Sequence, residues 1–247
     1  MRHVFETMGT VASIELPDDF RSHIPELELV FRRVDERFSL YRPESELSAI
    51  AAGRLDLSHS STRLRDSYQR ALLWRSATSG LFTPHRPDGV IDLNGIVKAE
   101  AIEEAGAVLD SAGCGSWAIN VGGDILVREE GEKWPTGIAD PDDASALLGS
   151  IGLGVTRRAL ATSGSAQRGD HIWLGGKLGS AEFVQVSVIA DDIVTADVLA
   201  TAIVAGGPDA LDEMCDRWPI DVFTADRSGA LRVTPGFRRS LGLAPVV

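Results

Sequence analysis

The chain has 247 residues, 44% of them hydrophobic and 24% charged, which suits one well-packed globular unit and excludes global disorder. Its formal net charge of -12, with Lys98, Lys133 and Lys177 as the only lysines, excludes a general nucleic-acid binder, because such binding rests on clustered basic side chains. A small anionic ligand stays admissible, since helix N-termini, backbone N–H groups and a bound cation can hold phosphates on an acidic protein.

The first ten residues carry neither the apolar core of a signal peptide nor a lipid-attachment cysteine. No run of about 18 apolar residues occurs after them, so a cytoplasmic protein without a membrane anchor is expected. Residues 3–16 combine β-formers with alternation and stop at Pro17, which predicts an opening strand bent at Gly9. Leu27, Val30, Phe31, Val34 and Phe38 recur at the 3–4 spacing of an amphipathic helix over 24–38. A second helix is predicted over 62–78, with Leu64, Tyr68, Ala71, Leu72 and Trp74 on its buried stripe. The connection between them turns at Arg42-Pro43-Glu44-Ser45.

Helix formers dominate 96–110, and Asp92-Leu93-Asn94-Gly95 reads as the capping loop at their entrance. Strands are predicted at 116–121, 124–128, 135–139, 148–153 and 181–190, with Gly122-Gly123 permitting a bulge or a close backbone approach. A nearly all-apolar helix covers 194–205. A helix at 208–217, strands at 220–225 and 230–233 and a short helix after Pro235 complete the chain. Helices and strands intermingle without a βαβ rhythm, so the expected class is α+β, with mixed or antiparallel sheets and packed helices in a single unit spanning 1–247. Cys114 and Cys215 stand far apart with no CxxC spacing and read as buried free thiols.

Asp197 and Thr201 lie four apart on the apolar helix, so they share a face and can offer two oxygens to one cation. The alternative is an Asp197 paired with arginine and a Thr201 bonded back to its own helix. Asp92-Leu93-Asn94-Gly95-Ile96-Val97-Lys98 joins a carboxylate, an amide and a lysine at a helix entrance, suited to anions or simply to capping. His171 sits in a small, polar stretch from Ser163 that reads as a surface loop bringing an imidazole to a site. Walker A, GxSxG, HExxH and GxGxxG patterns are absent, which removes the commonest NTPase, hydrolase, zincin and dinucleotide-fold readings.

The order and wording of these segments resemble the ApbE family of FAD:protein FMN transferases over nearly the whole chain. Met8-Gly9-Thr10 is similar to the family's opening M-G-T, and Phe38-Ser39-Leu40-Tyr41 with Ser45-Glu46-Leu47 to its F-S-x-Y and S-E-L. Ser79-Gly80-Leu81-Phe82 resembles G-x-F-D, Asp92 through Lys98 resembles D-L-x-G-I-x-K, and Asn120-Val121-Gly122-Gly123-Asp124 resembles N-x-G-G-D. Ala161-Thr162-Ser163-Gly164 with His171-Ile172 is similar to A-T-S-G and H-I, and Ala196 through Ala202 reproduces A-D-x-L-A-T-A. Three departures stand out: Thr83 occupies the acidic position after Phe82, Ala99 replaces the glycine after Lys98, and His171-Ile172-Trp173 runs into Leu174-Gly175-Gly176-Lys177-Leu178-Gly179 where the family has H-I, two residues and D-P-x-T-G.

The resemblance implies an ApbE-like, T-fold-like architecture. It also implies transfer of FMN from FAD to a threonine or serine hydroxyl of an acceptor protein, with AMP released. Hydrolysis of FAD to FMN and AMP, or non-catalytic FAD binding, are the other activities such a site would support. By position it assigns Asp197, Thr201 and the Gly95 carbonyl to Mg2+, with Mn2+ admissible in the same shell. Asp92, Lys98, Met8, Tyr41, Leu81, Phe82, Thr83 and Ile172 are assigned to FAD. His171 is assigned the role of base or phosphate-stabilising group.

Overall fold

A computed structural model describes residues 1–131, 133–141, 143, 145–164 and 182–241. Eight strands form one antiparallel sheet in the order β1-β2-β3-β4-β7-β8-β9-β10. These are β1 (Arg2–Thr7), β2 (Thr10–Glu15), β3 (Trp117–Val121), β4 (Asp124–Arg128), β7 (Ala159–Gly164), β8 (Phe183–Ala190), β9 (Asp221–Asp226) and β10 (Leu231–Val233). Between β4 and β7 the chain makes a separate antiparallel pair, β5 (Trp134–Ala139) and β6 (Leu147–Leu153). The helices are α1 (Ile24–Phe38), α2 (Glu46–Ala51), α3 (Thr62–Ala77), α4 (Asn94–Ser111), α5 (Ile193–Arg217) and α6 (Pro235–Ser240).

The sheet is covered on both faces because its strands alternate two apolar sets. Ile119, Val121, Leu126, Ala161, Val186, Val188 and Val222 face the larger core, which α1, α4 and α5 complete. Ala118, Val127, Leu160, Ile189, Phe223 and Ala225 face a second core closed by Ile138, Ile151 and Leu153 of β5–β6 and Phe237 of α6. Each fully buried Leu, Ile or Val contributes roughly 1.5–3 kcal/mol. The two helices nearest the sheet are rich in alanine and glycine where they touch it. A Cβ at Gly106 of α4 would lie 2.6 Å from Trp117 Cη2, so that glycine sets how closely α4 approaches β3.

The α+β class with antiparallel sheets and packed helices is observed, and the element boundaries shift in four places. The opening strand is a hairpin, because Met8 (φ 48°) and Gly9 (φ 70°) both adopt the left-handed conformations of a two-residue turn between paired Thr7 and Thr10. The turn at 42–45 leads into α2, where Ser45 Oγ accepts the Ser48 N–H at 3.0 Å as a helix cap. Asn94 lies inside α4, and Asp92 Oδ1 accepts its N–H at 2.9 Å. Ser163 and Gly164, read from the sequence as the start of a surface loop, end a central strand, β7, over 159–164. The small side chains Ala159 and Ala161 are weak strand formers, yet they let α5 pack tightly over the sheet.

α5 breaks at Gly207, whose φ of 66° is non-helical and which precedes Pro208. By length and composition this helix could cross a membrane, but 67% of its apolar window is buried within the fold.

Candidate active site

Strand register gathers the candidate residues at one end of the large sheet. The Met8-Gly9 turn closes β1 and β2 there, and Gly122 N–H donates to the Val11 carbonyl at 3.1 Å, which sets the Gly122-Gly123 turn beside it. Both glycines have positive φ, 60° and 94°, so β3 and β4 join through a two-residue turn. Asn120 Oδ1 accepts the Gly123 N–H at 3.0 Å and steadies it. The first residue after this turn is Asp124. Because β7 runs antiparallel to β4, its last residues, Thr162 to Gly164, reach the same end. β8 begins at that same end, its Gln185 paired with Gly164.

A polar chain links α4, the sheet and α5. Lys98 Nζ forms an ion pair with Asp124 Oδ2, and the two side chains are 11% and 0% exposed. Asp124 Oδ1 also accepts the Thr162 N–H at 3.1 Å. Thr162 Oγ1 lies 2.9 Å from Ser187 Oγ, and Ser163 Oγ lies 3.1 Å from Thr201 Oγ1. Asp197, one helical turn before Thr201, is 4% exposed amid buried Ile193, Val194, Ala196, Val198 and Ala200. Thr201 therefore bonds to β7.

Gly95 and the Leu81-Phe82 segment join this end through close packing. A Cβ at Gly95 would lie 3.0 Å from Phe82 Cε2, and one at Gly206 would lie 2.9 Å from Leu81 Cδ1. The segment thus wedges between the start of α4 and the later turns of α5. Thr78 Oγ1 holds it by accepting the Phe82 N–H at 3.1 Å, after a tight turn in which Ser79 (φ 54°) and Gly80 (φ 85°) are both left-handed. Thr83 is half-buried, and its hydroxyl accepts the His85 N–H at 3.3 Å. Asp92 is half-buried, and its N–H donates to the Pro84 carbonyl at 2.8 Å.

Tyr41 lies just beyond α1. His3 Nε2 meets Glu28 Oε1 at 2.6 Å and the Phe5 ring lies 5.7 Å from that of Phe31, so α1 runs alongside β1 in the same direction. Tyr41 is 92% exposed, its ring projecting into solvent, while Met8 is partly buried against the larger core. His171 and Ile172 lie outside the described residues.

A buried carboxylate, a hydroxyl and a backbone carbonyl, those of Asp197, Thr201 and Gly95, are the donor types that a hard cation takes. Among the described residues no group of three or more His, Cys, Asp or Glu side chains is placed to hold a metal. Neither cysteine offers a nucleophile. Cys114 is buried, and burial together with Asp212, Asp216 and Asp221 pushes the half-buried Cys215 thiol up to about 11. A separate cleft of about 520 Å³ opens between α1, α3 and α4. Two of its guanidinium groups are met by carboxylates, Arg63 to Glu104 at 3.1 Å and Arg70 to Glu103 at 2.9 Å, and none of the candidate residues lines it.

The sequence model of the ApbE family matches residues 84–224, a stretch that contains Asp92, Gly95, Lys98, Asp124, Asp197 and Thr201. The chain belongs to the ApbE family. Solved structures share its fold. The ApbE protein of Thermotoga maritima superposes with a TM-score of 0.84 at 17% identity, covering 98% of this chain and 99% of that one. The flavinyl transferase ApbE of Pseudomonas stutzeri, in its apo form, gives 0.81 at 18% identity, with 99% and 97% covered. The flavin transferase ApbE of Vibrio cholerae gives 0.78 at 22% identity, with 98% and 99% covered. No curated protein matches the chain.

Within this ApbE-family fold, two participants escape residue-level reading. Asp124 is 26 positions from Lys98, and only the register of β4 beside β7 and the pitch of α4 bring them together. Ser163 reads as the start of a loop, and its contact with Thr201 depends on the unpredicted strand β7. The glycine pair before Asp124 is the available signal, because a turn that tight delivers the next residue to a sheet end.

Proposed function

We propose that this ApbE-family chain transfers FMN from FAD to a threonine or serine hydroxyl of an acceptor protein and releases AMP. The observation that carries the reading is the convergence of Lys98, Asp124, Thr162, Ser163, Thr201 and buried Asp197 at one sheet end, inside a family member. The names of the solved structures that share the fold, flavin and flavinyl transferases, point to the same chemistry.

The reaction needs a site for a dianionic pyrophosphate on a chain with a net charge of -12. Lys98 supplies a localised positive charge next to the sheet end. Asp197, Thr201 and the Gly95 carbonyl would hold Mg2+, which neutralises charge on the pyrophosphate oxygens and the departing AMP when bound. Leu81, Phe82, Met8 and Tyr41 offer an apolar and aromatic border for the flavin, with Thr83 and Asp92 as polar contacts. In the transfer step the acceptor oxygen bonds to the FMN phosphorus. The bond from that phosphorus to the bridging oxygen breaks, and AMP leaves with the electron pair. The hydroxyl proton passes to a base, a role we assign to His171.

The deciding experiment incubates the full chain with FAD and Mg2+, with and without a flavin-acceptor domain. Covalent flavin on the acceptor, abolished by acceptor Thr/Ser→Ala, is the expected result. Free FMN and AMP with no labelled acceptor would instead make the chain an FAD hydrolase, and unchanged bound FAD would make it a carrier.

A further inference from the structure

We infer that Asp124 is a positioning residue that sets the place of Lys98 and ties it to the Ser163–Thr201 contact; this rests on the proposed role of Lys98 at FAD. Asp124 is completely buried, and its two oxygens do different jobs. Oδ2 pairs with the Lys98 ammonium, and Oδ1 accepts the backbone N–H of Thr162. The residue next to Thr162 is Ser163, whose hydroxyl meets Thr201 Oγ1.

One carboxylate therefore fixes the lysine of α4 and the end of β7 against each other. A lysine side chain has four rotatable bonds, so an ammonium meant to meet a phosphate needs an anchor to stay in one place. A fixed buried carboxylate directs it better than solvent does, while the second bond to Thr162 keeps the carboxylate itself from turning. Asn120 and the Gly122-Gly123 turn hold the Asp124 backbone, so the support runs through rigid sheet rather than loop.

Asp124→Asn is the informative variant, because its amide oxygen can still accept the Thr162 N–H while the charge opposite Lys98 is gone. It is compared with Lys98→Met and with the double variant, reading KM for FAD, kcat for AMP release and melting temperature. Lys98→Met is expected to raise KM for FAD or lower kcat/KM by tenfold or more. Asp124→Asn alone is expected to cost kcat/KM about 10–100-fold, the range typical of residues that orient a functional group from behind. Added to Lys98→Met it should cost less than about threefold, because the group it positions is already absent.

A merely structural Asp124 predicts the opposite, an equal fold-loss in both backgrounds with KM unchanged, and that result overturns the inference. If Asp124→Asn fails to fold because the buried ammonium has lost its counter-charge, the double variant restores the fold by removing that ammonium, and its comparison with Lys98→Met decides the question. A Lys98→Met variant with wild-type kcat and KM overturns both the role of Lys98 and the inference. An impaired Lys98→Met with fully additive Asp124→Asn overturns the inference alone.

Discussion

Replacing Asp197 with alanine separates a metal-binding carboxylate from a structural one. The side chain is 4% exposed and set among apolar neighbours on α5, a position where a carboxylate is costly to keep unless a partner or ion compensates it. If it binds Mg2+, the ion stabilises the folded chain by RT ln(1 + [Mg2+]/Kd), about 2.7 kcal/mol at a hundred times Kd. For a protein of this size 1 kcal/mol shifts the melting point by about 2–4 °C, so saturating Mg2+ should raise it by about 5–11 °C. Asp197→Ala should abolish that rise and should lower AMP release from FAD by about 10³-fold or more. Thr201→Val provides the scale. It removes a hydroxyl that shares a 3.1 Å contact with Ser163 Oγ and should cost about 1 kcal/mol, since water can refill one neutral position. A full Mg2+-dependent melting shift in Asp197→Ala refutes the ligand assignment, and a larger effect at Thr201 than at Asp197 refutes the hierarchy.

His171→Ala should lower FMN transfer by about 10²–10⁴-fold while changing FAD affinity by less than about tenfold, measured by single-turnover labelling and by binding titration. Near-normal transfer by His171→Asn would replace the base role with hydrogen bonding to phosphate. Gly106→Ala should lose about 1–3 kcal/mol in denaturant melts, because its Cβ would land 2.6 Å from the Trp117 ring; an unchanged midpoint would mean that α4 moves freely over β3. Burial, reinforced by the charge of Arg75, holds His85 below its ordinary value of 6.5. The folded chain then binds this proton less readily than the unfolded chain, so stability falls as pH drops through 6.5 and below. His85→Gln should lose less melting temperature than the wild type between pH 7.5 and pH 5.5, and an identical loss would remove His85 as a source of acid sensitivity.

How far the fold is legible depends on whether local pattern and tertiary demand agree. The 24–38 stripe predicts α1 because each of its apolar positions, Leu27, Val30, Phe31, Val34 and Phe38, is also a core position. The apolar run from Val194 predicts the first half of α5 for the same reason, and Gly207-Pro208 marks where it breaks. β7 is not legible because Ala-Leu-Ala-Thr-Ser-Gly has little intrinsic strand preference. Its place between β4 and β8 supplies two sets of ladder bonds, and its small residues answer the close approach of α5, a demand written in another element. The first hairpin reads as one bent strand because Gly9 announces only half of its turn. Met8 takes the other left-handed position, which costs a non-glycine residue about 1–2 kcal/mol and leaves no mark in local propensity.

The candidate residues are legible by another route than the contacts that join them. No two of Lys98, Asp124, Ser163 and Thr201 share a short motif, and their meeting depends on where elements end. Antiparallel pairing puts the β1–β2 turn, the β3–β4 turn and the departure from β7 at one end of the sheet, and α4 and α5 pass over that end. A fragment such as Asn120 to Asp124 looks weak alone because a glycine pair before an acid is ordinary turn chemistry. Its weight comes from the acid itself, a buried carboxylate with a lysine on one oxygen and a strand N–H on the other. The Lys98 ammonium is desolvated and ordered against that carboxylate during folding, so an anion meeting its remaining N–H groups would not bear that cost.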